Sequence, residues 1–316
     1  MAHAPARPEI AAAIDIGSYS VHLLVAEISG EELRVRHDES AHLGLGRTID
    51  ADGGLGTARE LLRDTIVGFA NQARGLGAGA ITVAATDPFR RASDARDAVN
   101  EVWRASGIEI VTLSHEEEAL LALLGVQEGR PVTREQVMVD VGGGSTEILV
   151  AAPERAPVAV GLPLGAARLT GVHIQHDPPT AAEIEGLRAE VSKAMERAPE
   201  SDASQLVAVG GTARNLLRIG PPLANRVLTE SRIRNALDAM LAVPAATIAE
   251  QHGVRLSRAR VLAAGASILL GALERYGADR LRVATGGLRE GLIFAAYQAG
   301  PSWRAHIGAL AQGWQR

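Results

Sequence analysis

Residues 137–147 read VMVDVGGGSTE and decide the fold, because an apolar run of strand length ends there in an acidic residue, three glycines and two hydroxyl side chains. Three consecutive glycines are costly in chain entropy unless the backbone approaches another group closely or takes a positive φ. The N–H groups of such a turn, with the hydroxyls of Ser145 and Thr146, suit a polyphosphate tail. Asp140 and Glu147 flank the turn and are placed to organise Mg²⁺ and water around it. A tight hairpin without a ligand is the alternative interpretation.

A second turn of this type lies near the start of the chain, where residues 15–18 read DIGS after another apolar run. Gly17 lets backbone N–H groups approach a phosphate, the Ser18 hydroxyl adds a donor, and Asp15 can hold the hydration shell of a metal. An ordinary Asp-x-Gly-Ser turn is the alternative. Because each turn follows one strand and precedes another, the two halves read as an architectural repeat. Two such domains facing each other would place both turns at an interdomain cleft, where ligands commonly bind.

Hydrophobic periodicity predicts the order βββαβαβα for the first half of the chain, after which the scheme starts again. We therefore expect an N-terminal domain over residues 1–126 and a C-terminal domain over residues 127–316. Residues 44–54 are rich in glycine and lack periodicity, which predicts a loop, and Thr180 is predicted to cap a helix. Strands are predicted at residues 11–17, 21–28, 33–36, 80–85, 108–113, 137–141, 148–152 and 158–162, and helices at 58–73, 95–105 and 116–126.

The composition limits the chemistry that the chain can perform. Its 316 residues suffice for two globular domains. The absence of cysteine excludes disulfides, thiolate zinc sites and cysteine nucleophiles. It fits the cytoplasmic location that we expect and is also compatible with export. Lys193 is the one lysine, which excludes a Walker-type phosphate loop. A net charge of −5 without a basic stripe argues against a nucleic acid polymer as partner, and residues 1–16 form neither a signal peptide nor a membrane span.

Acidic residues cluster at the start of a predicted helix, where residues 114–118 read SHEEE. Carboxylates at this end of a helix interact favourably with the helix dipole, and this interaction accounts for at least two of the three glutamates. A single buried glutamate here could instead act as a general base on water that attacks phosphorus.

Other residues allow both a functional and a structural interpretation. Arg90 follows a strand, and its planar fork is well matched to phosphate. Two further Gly-rich turns, at residues 210–212 and 286–291, either bind phosphate through their N–H groups or are close packing turns. His173 and His176 lie three apart, but because no carboxylate at matching spacing stands out, we interpret them as ordinary histidines and not as a metal pair.

Seven short motifs are spread from about Ile10 to Tyr297. They are DIGS at 15–18, Thr86-x-x-x-Arg90, Ser114-x-x-Glu117-Glu118-Ala119, DVGGGSTE at 140–147, PLGAARL at 163–169, GGT at 210–212 and GLREG at 287–291. They occur in the order seen in the exopolyphosphatase/guanosine pentaphosphate phosphohydrolase (Ppx/GppA) family, which the chain resembles over nearly its whole length. The resemblance implies an α/β fold with two RNase H-like domains of the actin/sugar kinase/heat-shock superfamily flanking an interdomain cleft. Long members continue into a helical phosphohydrolase domain, and the chain is similar to the short form that lacks it.

The resemblance also implies roles for individual residues. Glu118 matches the catalytic glutamate, with Glu117 the nearest alternative, and Glu147 matches a second catalytic glutamate. Asp15 and Asp140 match the aspartates that organise metal and water, and Glu147 joins them as a metal ligand. The residues expected to bind substrate phosphate are Gly17, Ser18, Arg90, Gly142, Gly143, Gly144, Ser145, Thr146, Gly211 and Thr212.

The activity that the resemblance implies is release of terminal orthophosphate from inorganic polyphosphate, or of the 5′-terminal phosphate of guanosine pentaphosphate, with Mg²⁺ and as a homodimer. Four positions depart from the family pattern: Tyr19 replaces asparagine, Asp87 lies where small or apolar residues precede the arginine, His115 replaces glycine, and Arg260 replaces aspartate. The tyrosine at position 19 could narrow the cleft or stack on a base. An inward-facing Asp87 would repel a polyanion.

These departures leave more than one function open. A metal-dependent phosphoanhydride hydrolase is the leading hypothesis. A polyphosphate or alarmone sensor of low or no activity is the alternative. A kinase of the same superfamily is less favoured, because no second acceptor site with its own base is visible.

Overall fold

The computed structural model describes residues 9–203, 205–222 and 225–313, and its elements are numbered along the chain. The strands are β1 (Glu9–Ile16), β2 (Ser20–Ser29), β3 (Glu32–His42), β4 (Ala80–Ala85), β5 (Ile110–Thr112), β6 (Gln136–Val141), β7 (Thr146–Ala151), β8 (Val158–Leu162), β9 (Leu206–Val209), β10 (Val227–Thr229) and β11 (Arg280–Val283). The helices are α1 (Leu45–Asp52), α2 (Ala58–Gly75), α3 (Asp87–Arg91), α4 (Ala95–Ser106), α5 (His115–Val126), α6 (Ala166–His173), α7 (Ala181–Met195), α8 (Gly210–Leu216), α9 (Glu230–Ala242), α10 (Ala245–His252), α11 (Leu256–Arg275), α12 (Leu288–Ala299) and α13 (Trp303–Ala311).

The chain divides into two units. Unit 1 takes in the chain up to Val132, together with Pro153–Pro157 and the chain from Gly286 onward, and unit 2 consists of Thr133–Ala152 and Val158–Thr285. This division differs from the expected one, in which everything after residue 126 forms the second domain. The C-terminal segment joins unit 1 because α12 packs against α5 and β1, and α13 packs against α5.

Unit 1 is built on a five-stranded sheet with the order β3-β2-β1-β4-β5. Strands β1, β2 and β3 form the predicted antiparallel meander, and β4 and β5 run parallel to β1. Alternate residues of β1 and β2, among them Ile14, Ile16 and Val21, are fully buried in a core with residues of α2 such as Ile66 and Phe69. The period of two along these strands produces this buried face.

Helix α1 lies where the sequence predicts a loop, so that prediction is wrong. Leu45 and Ile49 of this helix are buried, and their packing stabilises a short helix that has few apolar residues. Gly44 and Gly53 bracket the helix with φ values of 65° and 74°. The glycines that suggested a loop are therefore its two ends, since the left-handed conformation at a helix end favours glycine.

Glycines allow α5 and α12 to cross closely. A Cβ at Gly125 would overlap the carbonyl oxygen of Gly287, and a Cβ at Gly291 would overlap that of Leu121. At the start of α12, the Glu290 carboxylate accepts the Gly287 N–H at 2.9 Å. Of the two interpretations of this Gly-rich turn, the structure supports the packing turn.

Arg289 ties α12 to the meander. Arg289 is 7% exposed, and its guanidinium donates to Asp38 Oδ1 at 2.6 Å and to Asp38 Oδ2 at 3.3 Å. Burial lowers the pKa of Arg289, but the hydrogen bond to Asp38 and the charges of Glu290, Asp38 and Asp15 outweigh it and hold the pKa above its ordinary value. The α12 helix thus places a permanent positive charge in the neighbourhood of Asp15.

Unit 2 is built on a six-stranded sheet with the order β10-β11-β9-β6-β7-β8. Strands β6, β7 and β8 again form an antiparallel meander, and β9 and β11 run parallel to β6. Thr180 caps α7 as predicted, since its hydroxyl accepts the Glu183 N–H while the Glu183 carboxylate accepts the Thr180 N–H. Both sheets therefore share a meander followed by parallel strands, as expected for an architectural repeat.

Helix α11 is long and apolar enough to cross a membrane by length and composition, but 67% of its most apolar window is buried inside the protein. It contacts α7, α6, α10, α9 and α8. Leu262, Ile268 and Leu269 are among its buried residues. It is the central core helix of unit 2, and a buried core accounts for its apolar sequence.

Candidate active site

The two Asp-x-Gly turns share one backbone geometry. In unit 1 the Gly17 N–H donates to the Ser20 carbonyl at 3.1 Å, and in unit 2 the Gly142 N–H donates to the Ser145 carbonyl at 3.0 Å. Each turn thus closes four residues that join the first strand of a meander to the second. The repeat seen in the sequence is therefore a repeat of turn conformation.

Ser18 is a buried side chain of the unit 1 turn, and its hydroxyl donates to Asp87 Oδ2 at 2.5 Å. Its carbonyl accepts the Gly46 N–H at 2.8 Å. The hydroxyl proton of Ser18 is thus engaged by Asp87. The backbone N–H of Ser18 donates to no carbonyl of the described residues, so the phosphate contact of Ser18 stays a prediction for this N–H group.

Asp87 is 6% exposed, and it is paired with a cation. Arg91 donates from Nε to Asp87 Oδ2 at 3.0 Å and from a terminal nitrogen to Asp50 at 2.5 Å. Burial lowers the pKa of Arg91, but the hydrogen bond to Asp50 and the charge of Asp87 outweigh it and raise the pKa. A neutralised Asp87 repels a polyanion less than the sequence suggested. Sequence reasoning missed this pair, although acid and base at i and i+4 on a short helix were a signal for it.

Arg90 and Glu118, two residues expected in the site, form one ion pair. The Arg90 guanidinium donates to Glu118 Oε2 at 2.8 Å and to the Leu113 carbonyl at 3.0 Å. Their side chains are 15% and 12% exposed. The arginine holds the carboxylate in one orientation at the start of α5, where it also lies near the positive end of the helix dipole.

Glu117, the alternative base, serves the structure of α5. Its carboxylate accepts the Ser114 N–H at 2.8 Å, and Arg304 donates to its two oxygens at 2.6 and 3.0 Å. Burial raises the pKa of Glu117, but the bonds from Arg304 and Ser114 outweigh it and hold the pKa below its ordinary value. The geometry therefore favours Glu118 over Glu117 as the base.

His115, the first residue of α5, lies beside these groups. One of its ring nitrogens and a carboxylate oxygen of Glu118 lie within 4.8 Å of each other. Burial and the charge of Arg90 lower the pKa of His115, and the charge of Asp87 opposes them. The imidazole is consequently neutral near pH 7.

The triple-glycine turn of unit 2 turns its carbonyl groups toward α6. The Ala166 N–H donates to the Gly142 carbonyl at 2.9 Å, and the next N–H along α6 donates to the Gly143 carbonyl at 3.0 Å. A Cβ at Gly165 would overlap the Gly143 carbonyl, so this approach requires glycine. Within the described part of the chain the N–H groups of Gly143 and Gly144 donate to no acceptor. A phosphate oxygen is the acceptor that suits two such neighbouring donors.

The hydroxyls beside this turn are engaged within unit 2. Ser145 Oγ donates to Glu147 Oε1 at 2.8 Å, and the Thr146 hydroxyl donates to the Leu164 carbonyl. Both hydroxyls and Glu147 are buried. Of the side chains expected to bind phosphate here, Ser145 orients Glu147 and Thr146 anchors the loop before α6.

Asp140 lies at the end of β6, next to the Gly-rich turn at residues 210–212. Gly210 has a φ of 87°, and a Cβ there would lie 2.6 Å from Asp140 Oδ1. Thr212 is buried and its hydroxyl donates to the Val141 carbonyl at 3.1 Å, so this hydroxyl braces the end of β6. Burial raises the pKa of Asp140 to about 6, and the charge of Arg214 opposes the shift.

The donor set of unit 2 fits a hard divalent cation. Asp140 and Glu147 are cross-strand partners on β6 and β7 and supply carboxylate oxygens. Mg²⁺ is usually bound through one or two carboxylates, with waters and substrate phosphates completing the shell. A cation would also relieve the cost of ionising Asp140 that its raised pKa reveals.

The histidine pair at 173 and 176 forms two separate contacts on α7. His173 Nε2 lies 2.7 Å from Glu190, and His176 Nδ1 lies 2.8 Å from Glu183. Each histidine thus has its own carboxylate partner. This agrees with ordinary histidines and not a shared metal site.

Comparison with known proteins gives the family. The profile of the Ppx/GppA phosphatase family matches residues 24–299. Exopolyphosphatase 1 of Mycobacterium bovis is 30% identical over 89% of this chain and 86% of its own length. The guanosine-5′-triphosphate,3′-diphosphate pyrophosphatase of Vibrio atlanticus is 25% identical over 91% of this chain and 59% of its own length.

Among solved structures, the crystal structure of the Aquifex aeolicus Ppx/GppA family member is similar, with a TM-score of 0.78 and 27% identity over 92% of this chain and 98% of that one. The likeness confirms the predicted α/β fold class with two RNase H-like domains. The interdomain cleft stays a prediction. The names of the two relatives denote hydrolysis of phosphoanhydride bonds. The chain is therefore a phosphoanhydride hydrolase that belongs to the Ppx/GppA phosphatase family.

Proposed function

We propose that the chain is an exopolyphosphatase, which releases terminal orthophosphate from inorganic polyphosphate by attack of water with Mg²⁺ as cofactor. The observation that carries this proposal is the triple-glycine turn, where the N–H groups of Gly143 and Gly144 have no acceptor in the described part of the chain. The carboxylates of Asp140 and Glu147 flank these donors. One turn therefore carries both donors for phosphate and ligands for a cation.

The residues of the chain divide the work of the reaction. In unit 2 the N–H groups of Gly143 and Gly144 bind phosphate oxygens, and in unit 1 the guanidinium of Arg90 binds phosphate oxygens. Both sets of donors stabilise negative charge on the substrate. Glu118 accepts a hydrogen bond from the attacking water and takes its proton. The water oxygen forms the new P–O bond, and the bridging P–O bond breaks with its electron pair leaving on the shortened chain.

Mg²⁺, when bound by Asp140 and Glu147, supplies charge neutralisation for the phosphate oxygens. Ser145 orients the Glu147 carboxylate for this task through its 2.8 Å hydrogen bond. Asp15 keeps the expected role of organising water near the first turn.

Guanosine pentaphosphate is a second candidate substrate, and one observation favours it. The Tyr19 ring lies next to the unit 1 turn and packs on the His42 ring, with 4.2 Å between the ring centroids and 44° between their planes. His42 Nδ1 also lies 2.8 Å from the Tyr19 carbonyl, which holds the pair in place. Such a surface suits stacking on a nucleobase, which polyphosphate does not have.

The ion pair of Asp87 with Arg91 argues against the sensor hypothesis, because Asp87 does not stand as an isolated charge. We further propose a cytoplasmic homodimer without nucleic acid or membrane partners. The cysteine-free composition is compatible with this location. Sedimentation of the purified protein tests the dimer, and fractionation of cells that express it tests the location.

The experiment that tests the function measures orthophosphate release from short polyphosphate, long polyphosphate and guanosine pentaphosphate in parallel, with and without Mg²⁺. Glu118→Gln should lower turnover by roughly 10²–10⁴-fold without unfolding the protein. Glu116→Gln is the matched control, because Glu116 is an exposed neighbour on the same turn of α5. Release equal in wild type and Glu118→Gln would remove Glu118 from its role, and binding without release would establish the sensor.

A further inference from the structure

Unit 2 contains a cavity of about 210 Å³ between α10, the first half of α11 and the loop that follows α6. Its floor is apolar and consists of the buried or half-buried side chains of Ile174, Met240, Ile248 and Ala263. An apolar cavity of roughly 150 Å³ is already large enough to bind benzene. This cavity therefore has room for a branched aliphatic group, and the proposed function makes no use of it.

Two side chains of opposite charge line the same cavity. Arg260, one of the four departures from the family pattern, lies on α11, and Asp177 lies in the loop before α7. Asp177 Oδ1 accepts the Ala245 N–H at the start of α10 at 2.7 Å. Within the described part of the chain, Asp177 Oδ2 and the Arg260 guanidinium have no hydrogen-bond partner, and no ion pair joins them. A ligand that carries both charges would satisfy both groups.

His176 is the third titratable residue on the cavity, and its imidazole is already engaged. Its Nδ1 lies 2.8 Å from Glu183 Oε1, so a positive charge on His176 is offset by that carboxylate. The charges at the rim that await a partner are therefore the guanidinium of Arg260 and the carboxylate of Asp177.

We propose that this cavity binds a free α-amino acid with an apolar side chain of about the size of leucine. Arg260 pairs with the α-carboxylate of the ligand, Asp177 accepts hydrogen bonds from the α-ammonium group, and the side chain of the ligand covers the apolar floor. Charge-assisted hydrogen bonds fix the two polar ends, and burial of the aliphatic group adds affinity. A few placed polar groups above an apolar lining are typical of small-molecule sites. The site is additional to the proposed function and does not depend on it.

Met240 reports directly on occupancy, because its side chain forms part of the floor. Leucine is the probe, and it is titrated into protein labelled with ¹³C at the methionine methyl groups. We expect the Met240 signal to shift saturably, while the signals of Met138 and Met195, which do not line the cavity, stay in place. Met240→Leu identifies the signal, and isothermal titration calorimetry gives the Kd.

Three analogues separate the contributions of the ligand groups. 4-Methylpentanoate lacks the ammonium group, isopentylamine lacks the carboxylate, and alanine lacks most of the apolar side chain. Each should bind roughly tenfold or more weakly than leucine, since each loses one charge-assisted contact or several buried carbons.

Two variants test the protein side of the same contacts. Arg260→Gln and Asp177→Asn should each raise the Kd for leucine roughly tenfold or more. Asparagine keeps the side-chain oxygen that accepts the Ala245 N–H, so the start of α10 stays capped. Arg188→Gln on α7 and Asp238→Asn on α9 are the matched controls, because neither residue lines this cavity, and both should bind leucine as wild type does.

Any of three outcomes would overturn the proposal. They are a Met240 signal that leucine does not move, a wild-type Kd in both Arg260→Gln and Asp177→Asn, and binding of 4-methylpentanoate or isopentylamine as tight as that of leucine. Failure of the proposed function looks different, because it appears as absent orthophosphate release, which none of these binding measurements uses.

Discussion

Arg90 donates to Glu118 at 2.8 Å, so the arginine expected to bind phosphate and the glutamate expected to act on water form one ion pair in unit 1. The same guanidinium reaches the Leu113 carbonyl just before α5. Arg90 therefore orients the base in addition to any contact with substrate. Loss of the Arg90 hydrogen bonds should therefore impair both the orientation of Glu118 and the contact of Arg90 with substrate.

The Arg90→Lys variant tests this double role. A lysine keeps the charge, but its flexible chain lacks the rigid guanidinium plane that holds one terminal nitrogen of Arg90 between the Glu118 carboxylate and the Leu113 carbonyl. We expect kcat to fall roughly 10–100-fold, with a smaller change in KM. Steady-state orthophosphate release measures both constants, and Arg74→Lys on the exposed side of α2 is the control. A kcat within twofold of wild type would show that charge alone suffices.

The hydrogen bond between Ser18 and Asp87 predicts strong energetic coupling. Both side chains are buried, so Asp87→Ala leaves the Ser18 hydroxyl without its acceptor in a region of low dielectric, while Ser18→Ala leaves Asp87 with Arg91 as its remaining partner. In a double-mutant cycle with Ser18→Ala and Asp87→Ala, the free energies of unfolding should be non-additive by about 1–3 kcal/mol. Urea denaturation of the four proteins measures this. Additivity within about 0.5 kcal/mol would contradict the coupling.

This contact also shows where sequence reasoning ends. The strands and the two turns could be predicted because apolar periodicity and glycine act locally. Ser18 and Asp87 lie 69 positions apart, and Arg289 and Asp38 lie 251 apart, so no local pattern announces either pair. The same limit explains why the sequence does not place the chain after Gly286 in unit 1, since its place depends on glycine contacts between α5 and α12.

Asp140 predicts a dependence of stability on pH. Its pKa of about 6 in the folded protein lies above the ordinary value of 3.8. The folded state therefore binds this proton more tightly than the unfolded state. The stabilisation that protonated Asp140 contributes is complete below about pH 4 and is lost as the pH rises through 6. The loss amounts to at most about 3 kcal/mol.

The measurement is the free energy of unfolding between pH 4 and pH 8 for wild type and Asp140→Asn. The variant cannot ionise, so it should lack this loss and be the more stable protein at pH 8. Addition of Mg²⁺ at pH 8 should stabilise wild type and have little effect on the variant, because a cation that binds the folded state shifts the equilibrium toward it. Parallel pH profiles for the two proteins would contradict the raised pKa.

Two Gly→Ala substitutions should have opposite effects on stability, one at the crossing of α5 and α12 and the other on the exposed face of α2. In Gly291→Ala the new methyl group would overlap the backbone carbonyl of Leu121, and backbone cannot move aside as a flexible side chain does. We expect a loss of about 3 kcal/mol or more in the free energy of unfolding, at the upper end for overpacked sites. Gly68→Ala is the matched control, since no atom lies within 4 Å of its new Cβ on the exposed face of α2. There alanine should stabilise the helix by about 0.5–1 kcal/mol. If both variants unfold at the wild-type urea concentration, the close crossing is absent in solution. The packing of α12 on α5 would then not explain why the C-terminal helices belong to unit 1.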